Sequence, residues 1–323
     1  MDKIPTNSPA RSVFLNGKYQ NQHPQAAKSL FAFLKMTREH PFTKWPAWVD
    51  SEYGPKPPER VNDGSVQVTV INQSSVLVQT AGYNILTDPV YSERVSPFTF
   101  AGPKRVRNPG LRFEDLPPID VIVISHDHYD HLDTATVKRL IDRDNPAIYV
   151  GLGVAKHIRQ RERVTELDWW ESASFKPDFT VTFAPTQHFS GRGLFDRDST
   201  LWGAVVLTIA GRKIYFGGDT GYADHFQKTY EQLGAMDVAL LPIGAYAPRN
   251  FMGPMHMDPK QAVQAHLDLH AKWSVGMHYA TFQMTSEAID EPEQLLIIER
   301  EKAGLKADEF VAIPFGQALI IND

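Results

Sequence analysis

Four side chains of metal-ligand type fall within six residues of this chain, at His126, His128, Asp130 and His131, and they constrain it more than any other feature. The stretch 125–133 that holds them follows the apolar run Val121-Ile122-Val123-Ile124, which reads as a buried strand. Residues 134–141 behind it read as a helix. The ligands therefore sit in a loop at the carboxyl end of a strand, where open α/β sheets place their sites. Imidazole nitrogen and carboxylate oxygen together suit zinc, manganese or iron. A lone histidine is more often a surface or satisfied core residue. Four such groups on one strand-end loop do not yield to that explanation.

Composition narrows the chemistry. No cysteine is present among the 323 residues, so disulfides and thiolate ligands are excluded and any metal must be held by His, Asp or Glu. The net charge of −5 is mixed along the chain, which excludes the electrostatic footprint of a nucleic-acid partner. Residues 1–9 lack the apolar core of a signal peptide, and no apolar run approaches the roughly 20 residues of a membrane span. A soluble, cytoplasmic protein is the expectation.

Residues 1–24 read as an irregular arm, and 26–36 as a helix with Ala27, Leu30, Phe31 and Leu34 in one stripe. That stripe is expected to pack on the domain or on a dimer partner, with membrane contact as the alternative. Residues 41–58, with Trp45-Pro46-Ala47-Trp48 and Pro55-Lys56-Pro57-Pro58, read as an extended strap. Strands are expected at 66–71, 75–79, 83–86, 148–150, 164–167, 180–183, 204–209, 213–216, 238–241 and 273–277. Helices are expected around His157 and at 222–233, 259–271 and 286–303. Two β-rich halves with helices outside suggest a sandwich of sheets, though pattern alone leaves α/β and α+β both open.

Three more ligand-type residues stand at strand ends. His188 follows Val181-Thr182-Phe183-Ala184-Pro185-Thr186-Gln187, Asp219 follows Ile214-Tyr215-Phe216-Gly217-Gly218, and His278 follows Val275-Gly276-Met277. Each repeats the order of the first cluster, an apolar strand and then a ligand. Capping or packing is the competing reading of each. His266 and His270, four apart on a helix without the zincin glutamate, read as surface residues. His23, His40, His157 and His225 carry no signal.

His126-x-His128-x-Asp130-His131 resembles the signature of the metallo-β-lactamase fold superfamily. The full stretch Ser125-His126-Asp127-His128-Tyr129-Asp130-His131-Leu132-Asp133 is similar to the N-acyl-phosphatidylethanolamine-hydrolysing phospholipase D branch. Further motifs of that branch stand in order: Thr87-Asp88-Pro89, Gly102-Pro103-Lys104-Arg105, Leu167-Asp168-Trp169-Trp170, Gln187-His188, Leu201-Trp202-Gly203, Gly218-Asp219-Thr220-Gly221-Tyr222, Pro242-Ile243-Gly244-Ala245-Tyr246 and His278-Tyr279-Ala280-Thr281-Phe282. The resemblance runs from about Val66 to about Phe315. It implies an αββα sandwich of α/β class, with residues 66–323 as the hydrolase domain and 1–65 as an arm, helix and strap packed on it.

The resemblance also implies two divalent ions, zinc first and manganese or iron as fits. His126, His128 and His188 would hold one, Asp130, His131 and His278 the other, and Asp219 would bridge them. It implies hydrolysis of a phosphodiester, in a lipid or a smaller molecule, by water that the ions activate. Asp130 and His256 are then the expected catalytic side chains, His256 as proton donor or, in the competing reading, a neighbour of a helix cap. Asp88 is either a partner that orients a ligand histidine or a turn former before Pro89. Arg192, Phe100, Phe189 and Tyr279 are the expected substrate contacts, with Phe98, Phe195, Phe251 and Met252 adding an apolar rim. Asp127, inside the motif, is expected to point away from the metals, so that Asp127→Asn changes little. The chain departs from the branch at Asn72-Gln73-Ser74-Ser75, where many members carry Gly-His, and at Thr99-Phe100, where the mammalian enzyme carries Gln-Tyr. A lactonase or other ester hydrolase of the same fold, and a binding protein with structural metals, are the competing readings.

Overall fold

The computed structural model describes residues 10–24 and 30–322. A hairpin, β1 (Val13–Leu15) and β2 (Lys18–Gln20), and helix α1 (Leu30–Glu39) precede an extended strap. The first sheet is built from β3 (Val66–Asn72), β4 (Ser75–Thr80), β5 (Tyr83–Thr87), β6 (Val121–Ile124), β7 (Ala147–Gly151) and β8 (Val164–Leu167). Helix α2 (Thr134–Asp144) connects β6 to β7. The second sheet holds β9 (Ser172–Lys176), β10 (Phe179–Ala184), β11 (Ala204–Ile209), β12 (Arg212–Phe216), β13 (Val238–Pro242), β14 (Trp273–Met277) and β15 (Phe310–Val311). Helices α3 (His225–Leu233), α4 (Arg249–Met252), α5 (Pro259–Asp268) and α6 (Glu291–Lys302) lie along that half of the chain. The last strand, β16 (Ala318–Ile321), returns to the first sheet.

The strand orders are β16-β3-β4-β5-β6-β7-β8 and β9-β10-β11-β12-β13-β14-β15. Each sheet is antiparallel on one side and parallel on the other, with the change at β5 and at β12. Alternate residues separate the layers, as the period-2 pleat requires. Val66, Val68, Val76, Val78, Val121 and Val123 face Val181, Phe183, Val205, Leu207, Phe216 and Leu240 in the core between the sheets. The opposite-parity residues Leu77, Leu86, Ile122 and Ile124 pack with Val137, Leu140 and Ile141 of α2. On the other outer face Val206, Tyr215, Ala239 and Leu241 pack with Phe226 of α3, Ala262 and Val263 of α5 and Leu296 of α6. Three apolar layers between four structural layers make the αββα sandwich. Strands buried on both faces also explain why their sequences are continuously apolar.

Helix α2 shows how locally the site is built. Asp133 Oδ1 accepts from the backbone N–H groups of Ala135 and Thr136, a cap worth about 1 kcal/mol. Its Oδ2 accepts from the N–H of Ser92 at 2.9 Å, which ties the 91–92 loop to the motif. The strap is held by backbone bonds, Val49 N–H to Val106 C=O and Gly54 N–H to Gly110 C=O, both 2.7 Å. A Cβ on Gly54 would lie 1.9 Å from the carbonyl oxygen of Gly316, so only glycine lets strap, loop and C-terminal segment meet there.

Several expectations are corrected. The arm is not irregular throughout, since β1 and β2 pair within it. The expected helix around His157 is a single 3-10 turn, Val154–His157. Helix α1 runs to Glu39, while Ala26 and Ala27 lie outside the described residues. Of the stripe expected to pack on the domain or on a dimer partner, Phe31 is 77% exposed on this chain, and Met36 beside it is buried.

Candidate metal centre

Every expected ligand lies just past the carboxyl end of a strand, on one edge of the sandwich. The motif loop follows β6, His188 follows β10, Asp219 follows β12 and His278 follows β14. Gly218, at φ +55°, makes the approach possible. A Cβ there would lie 2.5 Å from that of Ser125, so the Asp219 turn can close on the motif only with glycine.

The ligands converge in two buried groups. In the first, His128 Nδ1 lies 2.8 Å from His126 Nε2 and 3.4 Å from His188 Nε2. In the second, His131 Nε2 lies 3.1 Å from Asp219 Oδ2 and 3.3 Å from Asp130 Oδ2, while His278 Nε2 lies 3.1 Å from Asp219 Oδ1 and 3.3 Å from Asp130 Oδ2. Asp219 Oδ2 also stands 3.7 Å from His188 Nε2, between the groups. Tetrahedral zinc with bonds of about 2.0–2.1 Å sets neighbouring ligand nitrogens about 3.3 Å apart, so this donor set fits such an ion.

The electrostatics of the groups differ. Burial, aided by neighbouring imidazoles, holds His126 and His188 well below the ordinary histidine value, so these rings are neutral and free to ligate. Burial acts against charge in the second group too, but Asp219 and Asp130 outweigh it and raise His131 well above its ordinary value. His278 is likewise raised, to about 9, by Asp219 and by bonds to both carboxylates. The same pairing holds Asp130 and Asp219 well below the carboxylate range against the cost of burial. Two buried carboxylates thus draw protons onto their histidines, a demand for positive charge that a dication also meets.

Outer partners fix the rings. Asp88 Oδ2 accepts from His131 Nδ1 and from Ser125 Oγ, both at 2.6 Å, and its Oδ1 accepts from Ser125 N–H at 2.8 Å. The Ser125 hydroxyl proton is thereby spent on Asp88, so Oγ accepts from His126 Nδ1 at 2.9 Å. One carboxylate therefore holds the Nδ1 proton of a histidine in each group, directly for His131 and through Ser125 for His126, and leaves both Nε2 atoms turned to the candidate metal groups. His188 Nδ1 donates to the Met255 carbonyl at 3.0 Å with the same result. Gln73, at the Asn72-Gln73 departure, donates from Nε2 to Asp130 Oδ2 at 3.0 Å, and its carbonyl accepts from His278 N–H at 2.7 Å. Its backbone and that of His278 are both left-handed, at φ 39° and 62°.

The remaining expected residues separate. His256 is buried beside the cluster, with Nδ1 at 3.9 Å from Asp219 Oδ2 and without a hydrogen-bond partner among the described residues. Burial lowers its pKa to about 4. Phe189 lies against His128 and His188, with ring centroids 4.5 and 4.7 Å away. Phe100 is exposed against Phe98. Arg192 spends Nη1 on the carbonyls of Asp127 and Leu132 and lies over the Tyr129 ring, at the wall of a cleft of about 410 Å³ that Arg94, Phe98 and Thr99 also line. Tyr279 does not share that cleft. It is buried with its ring against Phe315, next to a separate hollow lined by Ser51, Arg107 and Glu293.

Asp127 points away from the metal groups, but it is not idle. It is fully buried and accepts from Gly191 N–H, Thr200 Oγ1 and His157 Nε2, so it anchors the 190–200 loop to the motif. Asp127→Asn is therefore no neutral control. His266 is buried, not on the surface, and bonds to Ser274 Oγ at 2.8 Å, because α5 turns the face of Ala262, Ala265 and His266 onto the sheet.

His225 is also buried. Its Nε2 lies 3.2 Å from Thr220 Oγ1, next to Asp219. Burial holds this imidazole down at about 3, whereas the unfolded chain protonates near pH 6.5. Its contribution to stability is thus complete above about pH 6.5 and is lost as pH falls toward 3. His225→Phe should cost roughly 1 kcal/mol at pH 7 through the lost bond. It should also lessen the drop in urea midpoint between pH 7 and pH 4.5. An unchanged drop would exclude His225 as a source of acid sensitivity.

Comparison with known proteins agrees with this architecture. The model of the "Beta-lactamase superfamily domain" matches residues 83–279. The chain is 40% identical over 277 residues to N-acyl-phosphatidylethanolamine-hydrolyzing phospholipase D 1 of Caenorhabditis elegans, covering 81% of this chain and 78% of that one. It is 34% identical over 256 residues to the mitochondrial N-acyl-phosphatidylethanolamine-hydrolyzing phospholipase D of Saccharomyces cerevisiae, covering 76% of this chain and 54% of that one. A metallo hydrolase of Ignicoccus hospitalis shares the fold, with a TM-score of 0.59 at 23% identity over 80% of this chain and 99% of that one. Fold and site together define a metal-dependent hydrolase of the metallo-β-lactamase superfamily. Within that superfamily the chain belongs to the N-acyl-phosphatidylethanolamine-hydrolysing phospholipase D-like branch.

Proposed function

We propose that this protein hydrolyses the phosphodiester bond of a phospholipid, in the manner of a phospholipase D, with two divalent ions bound. The observation that carries the reading is the position of Asp219 between two buried ligand groups. His126, His128 and His188 would hold one ion, Asp130, His131 and His278 the second, and Asp219 both. Ions held there supply Lewis-acid polarisation of a phosphoryl oxygen and a water that ionises near neutral pH. Zinc suits the imidazole-rich first group, and manganese or iron also suits the carboxylate-containing second.

The chain's own residues do the rest. Asp130 orients the second ion's site and is itself steadied by Gln73. His256, buried with Nδ1 unpaired, is placed to hydrogen-bond the leaving oxygen as the phosphorus–oxygen bond breaks, the proton that oxygen takes up coming from the attacking water. Water supplies the oxygen that replaces it, so the products are a phosphomonoester and an alcohol. Phe189 closes one side of the ligand cluster. The cleft beside Tyr129 and Arg192 opens between loops whose tips carry Phe98, Phe100, Leu194 and Phe195, the last three 79–95% exposed. Such a rim fits a lipid surface, where each buried methylene contributes about 0.8 kcal/mol.

The test compares bis-p-nitrophenyl phosphate, short- and long-chain glycerophospholipids, N-acyl-phosphatidylethanolamine and a lactone. Phosphodiester turnover that rises with acyl-chain length is expected. Turnover of the lactone with inert phosphodiesters would replace this reading with that of a lactonase.

A further inference from the structure

His188 stands apart from the other candidate ligands in how it is held. Strand β10 ends at Ala184, and Pro185 stops the ladder, so His188 lies four residues beyond the sheet. On one side a single bridge remains, with Gly221 N–H donating to the Gln187 carbonyl at 2.8 Å and Gln187 N–H donating to Thr220 Oγ1 at 2.9 Å. The other side is closed by the N-terminal arm. Asn21 Nδ2 donates to the His188 carbonyl at 2.7 Å, and Asn21 Oδ1 accepts from His188 N–H at 3.2 Å. One side-chain amide thus satisfies both backbone groups of a residue 167 positions away, as a neighbouring strand would. The arm is fastened on both sides of this point. Tyr19 N–H donates to the Asp198 carbonyl at 2.8 Å, Gln187 Nε2 donates to the His23 carbonyl at 2.5 Å, and His23 meets Asp224 at 2.7 Å. Asn21 lies outside residues 83–279, the part of the chain matched by the superfamily domain.

We propose that Asn21 is a positioning residue, through which the arm fixes the backbone of His188 and so sets the affinity of the first metal group. The inference rests on the reading of His188 as a ligand. Partners that orient a ligand typically change metal affinity by about 10–100-fold when removed. A free His188 peptide would let Nε2 wander from the 3.4 Å approach to His128 Nδ1.

The test measures zinc binding to full-length wild type, Asn21→Ala, Gln20→Ala and His188→Ala by competition with a chromophoric chelator. Amide hydrogen exchange is followed in the metal-free proteins. Asn21→Ala should weaken one of two binding steps by about tenfold, leave the other unchanged, and speed exchange at 187–189 without lowering the melting temperature by more than a few degrees. Gln20→Ala, whose side chain bonds only to the Lys18 carbonyl among the described residues, should match wild type. His188→Ala should lose one equivalent. If it does so while Asn21→Ala binds and exchanges as wild type, the positioning role is overturned and the ligand reading stands. If His188→Ala keeps both equivalents, the ligand reading falls and takes the positioning role with it.

Discussion

Asp219→Asn should lose metal and hydrolytic activity together. The carboxylate touches both ligand groups, at 3.1 Å from His131 and His278 and 3.7 Å from His188. Asparagine keeps the shape and one oxygen but removes the charge. The protein would then offer two cations a single buried carboxylate, Asp130, against the desolvation that both ions suffer. Wild type purified without chelator should carry between one and two equivalents of zinc, manganese or iron by elemental analysis. The variant should carry clearly less, with kcat/KM down by more than the 10–100-fold typical of losing a partner to a ligand. Asp142→Asn is the proper control, since that carboxylate is half exposed on α2 and, among the described residues, pairs with the surface groups of Lys138 and Gln160. An Asp219→Asn enzyme that keeps both metal and rate would remove Asp219 from the site.

The candidate ligands were legible because each stands within a few residues of the end of a buried strand. Apolar run and ligand are adjacent in sequence, and the sheet carries them to one edge. The layered core was legible for a related reason, since period-2 strands buried on both faces leave long apolar runs. What stayed hidden depends on contacts between distant residues of ordinary type. Asn21 sits in a polar arm, and nothing near it in sequence marks it as the partner of His188. Gln73 was noticed only as a departure, although its amide holds Asp130 and its carbonyl holds His278. Ser125 was read as part of a motif, not as the hydroxyl linking Asp88 to His126. The burial of His266 is hidden in sequence, because its spacing from His270 does not show which face of α5 meets the sheet. The helix ends at Asp268, so His270 lies past it at φ 48° and no longer shares that face. Strand β16 pairs with β3 from the far end of the chain, a register that no local pattern encodes.

Asp88→Asn should weaken metal binding by about 10–100-fold while leaving the fold in place. Asp88 is fully buried and receives three donors on two oxygens: Ser125 N–H, Ser125 Oγ–H and His131 Nδ1–H. Burial raises its pKa, and the bonds from His131 and Ser125 only partly offset this. An asparagine side chain has one oxygen and one NH2. Wherever the NH2 turns, it meets a donor, and the group able to yield is the imidazole. His131 would move its proton from Nδ1 to Nε2, accept from the new amide, and present N–H in place of a lone pair to the metal group. If the NH2 takes the Oδ1 position instead, it meets the backbone N–H of Ser125, which cannot yield, so that orientation is disfavoured. The favoured orientation therefore spoils His131 for the second group. Chelator competition should therefore show one weakened step, and heteronuclear NMR of the metal-free protein should show an altered protonation or tautomer of the His131 ring. Unaltered affinity together with unaltered tautomers would mean that Asp88 serves only the turn before Pro89.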